Sequence, residues 1–155
     1  MTQWHLAQLN VGRLRHPIDA PETSEFVANL DPINALADAS PGFVWRLQDD
    51  TGNATSILPT PDPLFIVNLS VWESISALED FVRRSAHAAF LRRRREWFER
   101  SADAYLVLWW IPAGHVPSVD EAMTRLHHLR AHGPTATAFT FRQRYDPELS
   151  PAASD

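Results

Sequence analysis

The sequence predicts an α+β domain on the ferredoxin-like plan. Three observations predict it. Apolar residues recur at alternating spacing in some segments and at three- and four-residue spacing in others, marking strands and helices. Those segments follow one another as strand, helix, strand, strand, helix, strand, the split βαβ order. At 155 residues, 45% apolar and 21% charged, the chain has the length and composition of one domain with one core.

Trp4 to Asn10 reads as the first strand, with Leu6, Gln8 and Asn10 on one face and His5, Ala7 and Leu9 on the other. After a loop at Gly12 and Pro17–Pro21, Thr23 or Ser24 caps a helix to about Ala39. Phe26, Val27, Leu30, Ile33, Leu36 and Ala37 are expected on its inner side, and Pro32 interrupts the pattern. Ser40-Pro41-Gly42 breaks the chain. Phe43 to Leu47 alternates as a second strand with Phe43, Trp45 and Leu47 on one face. Residues 48–63, with three prolines, read as a long connection, and Leu64 to Val71 as a third strand.

Ser74 to Arg100 is the longest helical stretch, and Tyr105 to Ile111 is a fourth strand apolar on both faces. Ser118 and Glu121 form a capping box for a third helix over about 119–131, which Gly133-Pro134 stops. Thr137 to Phe141 reads as a short last strand. A single domain is expected over 1–145 and a flexible tail over 146–155. The sheet is expected to be antiparallel with helices on one face. The aromatic second face then asks for cover, from a second copy of the chain or from a ligand. Because Trp109 and Trp110 are adjacent, they must point to opposite faces.

Composition removes several chemistries. Without cysteine there are no disulfides, zinc–thiolate sites, iron–sulfur clusters or cysteine nucleophile. All 14 basic residues are arginine, so lysine Schiff-base chemistry and a P-loop lysine are excluded. No glycine-rich phosphate loop or Gly-x-Ser-x-Gly elbow occurs. The net charge of −5 argues against a nucleic-acid partner. The longest apolar run is far too short to span a bilayer. No basic region precedes a hydrophobic stretch at the N-terminus, so a cytoplasmic location without membrane contact is expected.

Several stretches carry a family resemblance: Ala7-Gln8-Leu9-Asn10-Val11-Gly12-Arg13-Leu14, Ser40-Pro41-Gly42-Phe43-Val44-Trp45-Arg46-Leu47, Val67-Asn68-Leu69-Ser70-Val71-Trp72-Glu73-Ser74 and Leu108-Trp109-Trp110-Ile111-Pro112-Ala113-Gly114-His115. His87-Ala88-Ala89-Phe90 through Phe98 and His128 through Thr135 belong with them. Over about Trp4 to Phe141 the chain resembles a bacterial domain-of-unknown-function family in the dimeric α+β barrel superfamily. That superfamily includes antibiotic-biosynthesis-type monooxygenases and heme-degrading monooxygenases. The resemblance implies a ferredoxin-like dimeric α+β barrel with an added C-terminal helix and strand, and a homodimer. It implies oxygenase-like chemistry on an apolar or aromatic small molecule. In heme-binding members a helix histidine ligates iron, and His87 is the position that matches. Fold similarity does not transfer chemistry, which must come from the site.

The candidate residues follow. His87, among small residues mid-helix, suits an acid/base or an axial heme ligand, against a plain hydrogen-bonding role. Asn68 is polar in an apolar strand and needs a partner if buried; with Arg46 it is expected to orient a substrate, and Asn10 lies nearby in the pattern. Trp45, Phe65, Phe90, Trp97 and Trp109 are expected to line the pocket between sheet and helices. The run Arg92 to Arg95 points all round its helix and reads as a solvated surface or as intersubunit salt bridges with the acidic first helix, with one or two members able to clamp a carboxylate. His128 and His132 have i, i+4 spacing, but two ligands do not make a metal site, and His132 suits a helix C-terminus. The leading expectation is an oxygenase-like enzyme. The alternatives are a heme protein with His87 axial and a non-catalytic binding or dimeric interaction module.

Overall fold

The strand pattern closes into one antiparallel sheet of four strands in the order β2-β3-β1-β4. The computed structural model describes residues 3–48, 61–84 and 92–147. The strands are β1 (Trp4–Arg13), β2 (Phe43–Arg46), β3 (Phe65–Trp72) and β4 (Leu106–Pro112). The helices are α1 (Ser24–Asp38), α2 (Ile75–Arg84), the short α3 (Arg94–Trp97) and α4 (Val119–His132). The class is α+β and the strand order is the ferredoxin-like one.

Alternation along the three long strands sorts the core into two layers. Ala7, Leu9 and Val11 of β1, Val67, Leu69 and Val71 of β3, and Val107, Trp109 and Ile111 of β4 form one face. Helix α4 buries Ala122, Leu126 and Leu129 against it. The opposite face carries Leu6, Trp72, Leu108 and Trp110, packed under Ala37 of α1 and Leu78 of α2. Trp109 and Trp110 thus point to opposite sides, as their adjacency requires. Helices cover both faces, because the added helix α4 lies on β4 and β1. Part of the cover expected from outside the chain is therefore internal.

Strand β2 departs from simple alternation. Phe43 pairs with Trp72 and Trp45 with Val71, so two steps on β2 oppose one on β3. This bulge turns Phe43 toward the Trp72 face and Trp45, with Leu47, toward the Val71 face. The three do not share a face. Gly42 makes the entry to β2 possible: its φ is +82°, and a Cβ there would meet the Ala77 Cβ at 2.5 Å.

Other departures have local causes. In α1 the inward stripe is Phe26, Leu30, Ile33 and Ala37. Val27 and Leu36 each sit about 100° round the helix from a stripe member and are 40% and 37% exposed. The long helical stretch does not reach Arg100. Phe98 is extended and bridges to Leu14, while Arg15 donates to the Trp97 carbonyl and Glu99 to that of Arg13, each at 2.8 Å. The last strand reduces to one bridge, Leu108 with Phe139. Ser118 caps α4 by accepting from the Glu121 N–H, but the Glu121 carboxylate accepts from Trp109 Nε1 at 3.1 Å instead of closing the box.

Replacing Gly42 by alanine is expected to cost about 2–3 kcal/mol, from positive-φ strain plus contact with α2. The midpoint of thermal unfolding should fall by roughly 5–10 °C. An unchanged midpoint would show that the turn before β2 is not held as described.

Candidate functional site

A cavity of about 240 Å³ lies between the sheet and helices α1 and α2. Its roof is mostly hydrocarbon: Ile33 and Ala37 from α1, and Leu78, Phe81 and Val82 from α2, with Asn34 of α1 as its polar member. Trp72 forms part of the floor, stacked on Phe81 with centroids 5.2 Å apart and met edge-on by Phe43 at 5.4 Å.

The rest of the floor is polar, and strand register explains why. Gln8 is directly opposite Ser70, and Asn10 opposite Asn68, so four polar side chains stand together on one face. Gln8 is only 3% exposed and must be satisfied internally. Its Nε2 donates to Asn68 Oδ1 at 2.7 Å and to Ser70 Oγ at 2.9 Å, and its Oε1 accepts from Asn10 Nδ2 at 3.2 Å. Trp72 Nε1 also donates to Ser70 Oγ, at 2.9 Å. A hydroxyl has two acceptor lone pairs. Both of Ser70's are used, so its proton must point elsewhere. The Asn68 Oδ1 is likewise occupied, which leaves its amide N–H groups as donors toward the cavity.

Two arginines complete the wall. Arg46, on β2 beside Ser70 in register, donates from Nε and Nη2 to the Asp38 carboxylate at 2.8 and 3.3 Å. Arg94 of α3 donates from Nη2 to the Val11 carbonyl at 2.8 Å and packs on the rings of Phe98 and Tyr105. Burial lowers the Arg94 pKa, partly opposed by Tyr105. Arginine remains charged in spite of this. The described residues that line the cavity include no carboxylate, imidazole or thiolate.

A family described as a domain of unknown function, DUF3291, matches residues 5–154. The chain belongs to that family. No curated protein matches it. Several solved structures resemble this DUF3291 chain distantly. SnoaB, a cofactor-independent oxygenase from Streptomyces nogalater, shares 14% identity over 72% of this chain and 95% of its own, with a TM-score of 0.45. A Mycobacterium tuberculosis protein shares 13% over 74% and 98%, at 0.48. A dabb family protein with a ferredoxin-like fold from Mesorhizobium loti shares 20% over 75% and 99%, at 0.44.

Of the residues singled out from the DUF3291 sequence, Asn68, Arg46 and Asn10 line the cavity together. Trp45, Phe65 and Trp109 do not. They lie on or against the α4 side of the sheet, because pleating sends them away from Asn68 and Ser70. Trp97 packs in a third cluster with Leu14, Phe26 and Phe98. His87 and Phe90 lie outside the described residues. Gln8, Ser70 and Trp72 join the site without having stood out in the sequence as candidates, and Arg94 joins it from the arginine run. The available signal was the pair of polar i, i+2 positions, Gln8/Asn10 and Asn68/Ser70, each in an apolar strand. The arginine run splits: Arg93 pairs with Glu25 and Glu96 at the surface, while Arg94 enters the cavity wall.

The remaining histidines lie apart from the cavity. His115 Nε2 meets Glu121 at 2.7 Å. The His128 and His132 rings are 4.5 Å apart, and no group of three or more metal-binding side chains occurs among the described residues. No described helix is long and apolar enough to cross a membrane.

Ser70→Ala leaves the Trp72 N–H and one Gln8 N–H without their shared acceptor. Urea unfolding should show a loss of about 1–3 kcal/mol. A Trp72→Phe background should shrink that loss, since one stranded donor is then gone. The pH dependence tests the histidine pair. His128 has a lowered pKa, first through burial and then through His132 and Arg125. The unfolded chain therefore takes up its proton first, so stability falls as pH drops below the ordinary histidine value. His128→Asn should flatten the change in melting temperature between about pH 7.5 and 5.5; an unaltered slope would assign it elsewhere.

Proposed function

We propose that this cavity is the active site of an oxygenase-like enzyme acting on a small, largely apolar aromatic molecule that carries a ring hydroxyl or carbonyl oxygen. The observation that carries this reading is the amide floor. Under a mostly hydrocarbon roof, Gln8 holds Asn68 and Ser70 by their acceptor atoms, which leaves their own N–H and O–H groups available to a ligand oxygen. Fixed donors in a poorly hydrated site stabilise an oxygen that becomes negative during reaction, and they need no reorganisation to do so.

The chemistry this supports starts with loss of a proton from an activated ring carbon. The electron pair moves onto the ring oxygen, where Asn68 and Ser70 donate to it. The resulting anion is electron-rich enough to reduce dioxygen directly. At a methylene carbon, one oxygen atom becomes a carbonyl and the other leaves as water with the two hydrogens. Dioxygen is the co-substrate, and the substrate supplies all the electrons. The base expected from the sequence, His87, lies outside the described residues, and the oxyanion role of the floor does not depend on it. Phe43 and Phe81, backed by the buried Trp72, supply the aromatic surface on which such a ring packs.

An oxygen electrode with a hydroxyanthrone as substrate tests the reading. Uptake by the purified protein should exceed the protein-free rate and need no added iron or hemin. Asn68→Ala should lower that uptake by roughly 10²-fold, the usual scale for removing one oxyanion donor, while the variant, though less stable, remains folded at the assay temperature. Uptake that appears only after adding hemin would favour the heme alternative. Uptake equal to the protein-free rate would reject the oxygenase reading.

A further inference from the structure

Arg94 stands in the cavity wall without an acid beside it. Its neighbour Arg93 is paired with Glu25 and Glu96. Arg46, the other cation of the wall, is held by Asp38. Arg94 instead gives one N–H to the Val11 carbonyl at 2.8 Å and rests on the rings of Phe98 and Tyr105, whose centroids lie 4.6 and 4.4 Å from its central carbon. A guanidinium presents about five N–H donors in a planar fork, and the one carbonyl occupies one of them. No carboxylate among the described residues pairs with it, and none lines the cavity.

Local structure keeps the group in place. The chain carries glycine at position 12, where a Cβ would come within 2.7 Å of Arg94 Nη2 and 2.5 Å of Phe98 Cδ1. The Val11 carbonyl and two aromatic rings fix the planar head rather than leaving it to sweep through water. Partly burying a cation without a counter-charge is unfavourable for the fold. The wall is also concave and lies beside a mostly hydrocarbon roof and an amide floor. Fixed positive charge in such a place is complementary to a negative charge carried by the ligand. One planar guanidinium, with the second arginine already paired, suits a carboxylate. A phosphate calls for more charge or a helix N-terminus.

We propose that the ligand of this cavity is an aromatic organic acid whose carboxylate pairs with Arg94 while its ring lies against Phe43 and Phe81. This rests on the cavity being a substrate site and narrows its substrates to anions.

Titration calorimetry on the full chain with naphthoate and naphthamide tests it, since the two probes share a shape and differ in charge. Wild type should bind naphthoate about tenfold tighter, the scale of one charge-assisted pair. Arg94→Gln should bring naphthoate down to the naphthamide level while naphthamide stays within about twofold. Arg94→Lys should keep part of the preference, because it keeps the charge but loses the fork. Equal binding of both probes to wild type would overturn the acid proposal and leave the cavity as a ligand site. So would an equal loss for both probes in Arg94→Gln, which would make Arg94 a structural group. No heat with either probe would count against both the proposal and the substrate-site reading. The wild-type comparison needs no variant, so a variant that melts early does not remove the test.

Discussion

The Gln8 amide on the central strand is the interaction around which the cavity is arranged. It reaches across to β3 and ties down Asn68 and Ser70, and it takes the remaining link from Asn10 on its own strand. A buried amide has both donors and acceptors to satisfy, and leaving one unmet costs about 1–3 kcal/mol. That requirement fixes which atoms of Asn68 and Ser70 turn inward. Ser70 in turn receives the Trp72 N–H, so the indole that forms the aromatic floor takes its orientation from the same network. The polar and apolar parts of the site are thus set by one connected set of bonds across two strands.

Much of this was legible in the sequence. The strand-helix order and the opposite facing of Trp109 and Trp110 follow from period and polarity; Asn68 itself is exposed, and the buried group that needs partners is Gln8. The pocket lining did not follow. Trp45, Phe65 and Trp109 are aromatic strand residues, and aromatic character alone does not report which face a strand residue takes. The polar pairs Gln8/Asn10 and Asn68/Ser70 did report it, since two polar residues two apart in an apolar strand mark a face that is not simple core. Their meeting depends on the β1–β3 register, which no single segment encodes.

The arginine run shows the same limit. Four consecutive arginines on a helical pattern look like a solvated surface, and Arg93 is a surface residue, but its acids, Glu25 and Glu96, come from its own chain. Arg94 is turned inward because α3 is only one turn long and the chain after it is pinned to β1 at Leu14 and Arg13. That pinning is tertiary. It brings a charged side chain over the Val11 carbonyl, at a distance in sequence that local periodicity cannot see.

The bulge in β2 has a consequence for how the chain tolerates changes of length. The extra residue is Val44, which is 40% exposed and has no register partner on β3. Removing it would leave Phe43 opposite Trp72, Trp45 opposite Val71 and Arg46 opposite Ser70 in an ordinary ladder, with every facing preserved. Removing a residue within β1 or β3 would instead reverse the facing of everything beyond it and carry the amide floor to the wrong side of the sheet. Strand β2 is therefore a place where this chain can lose a residue while keeping the same chamber.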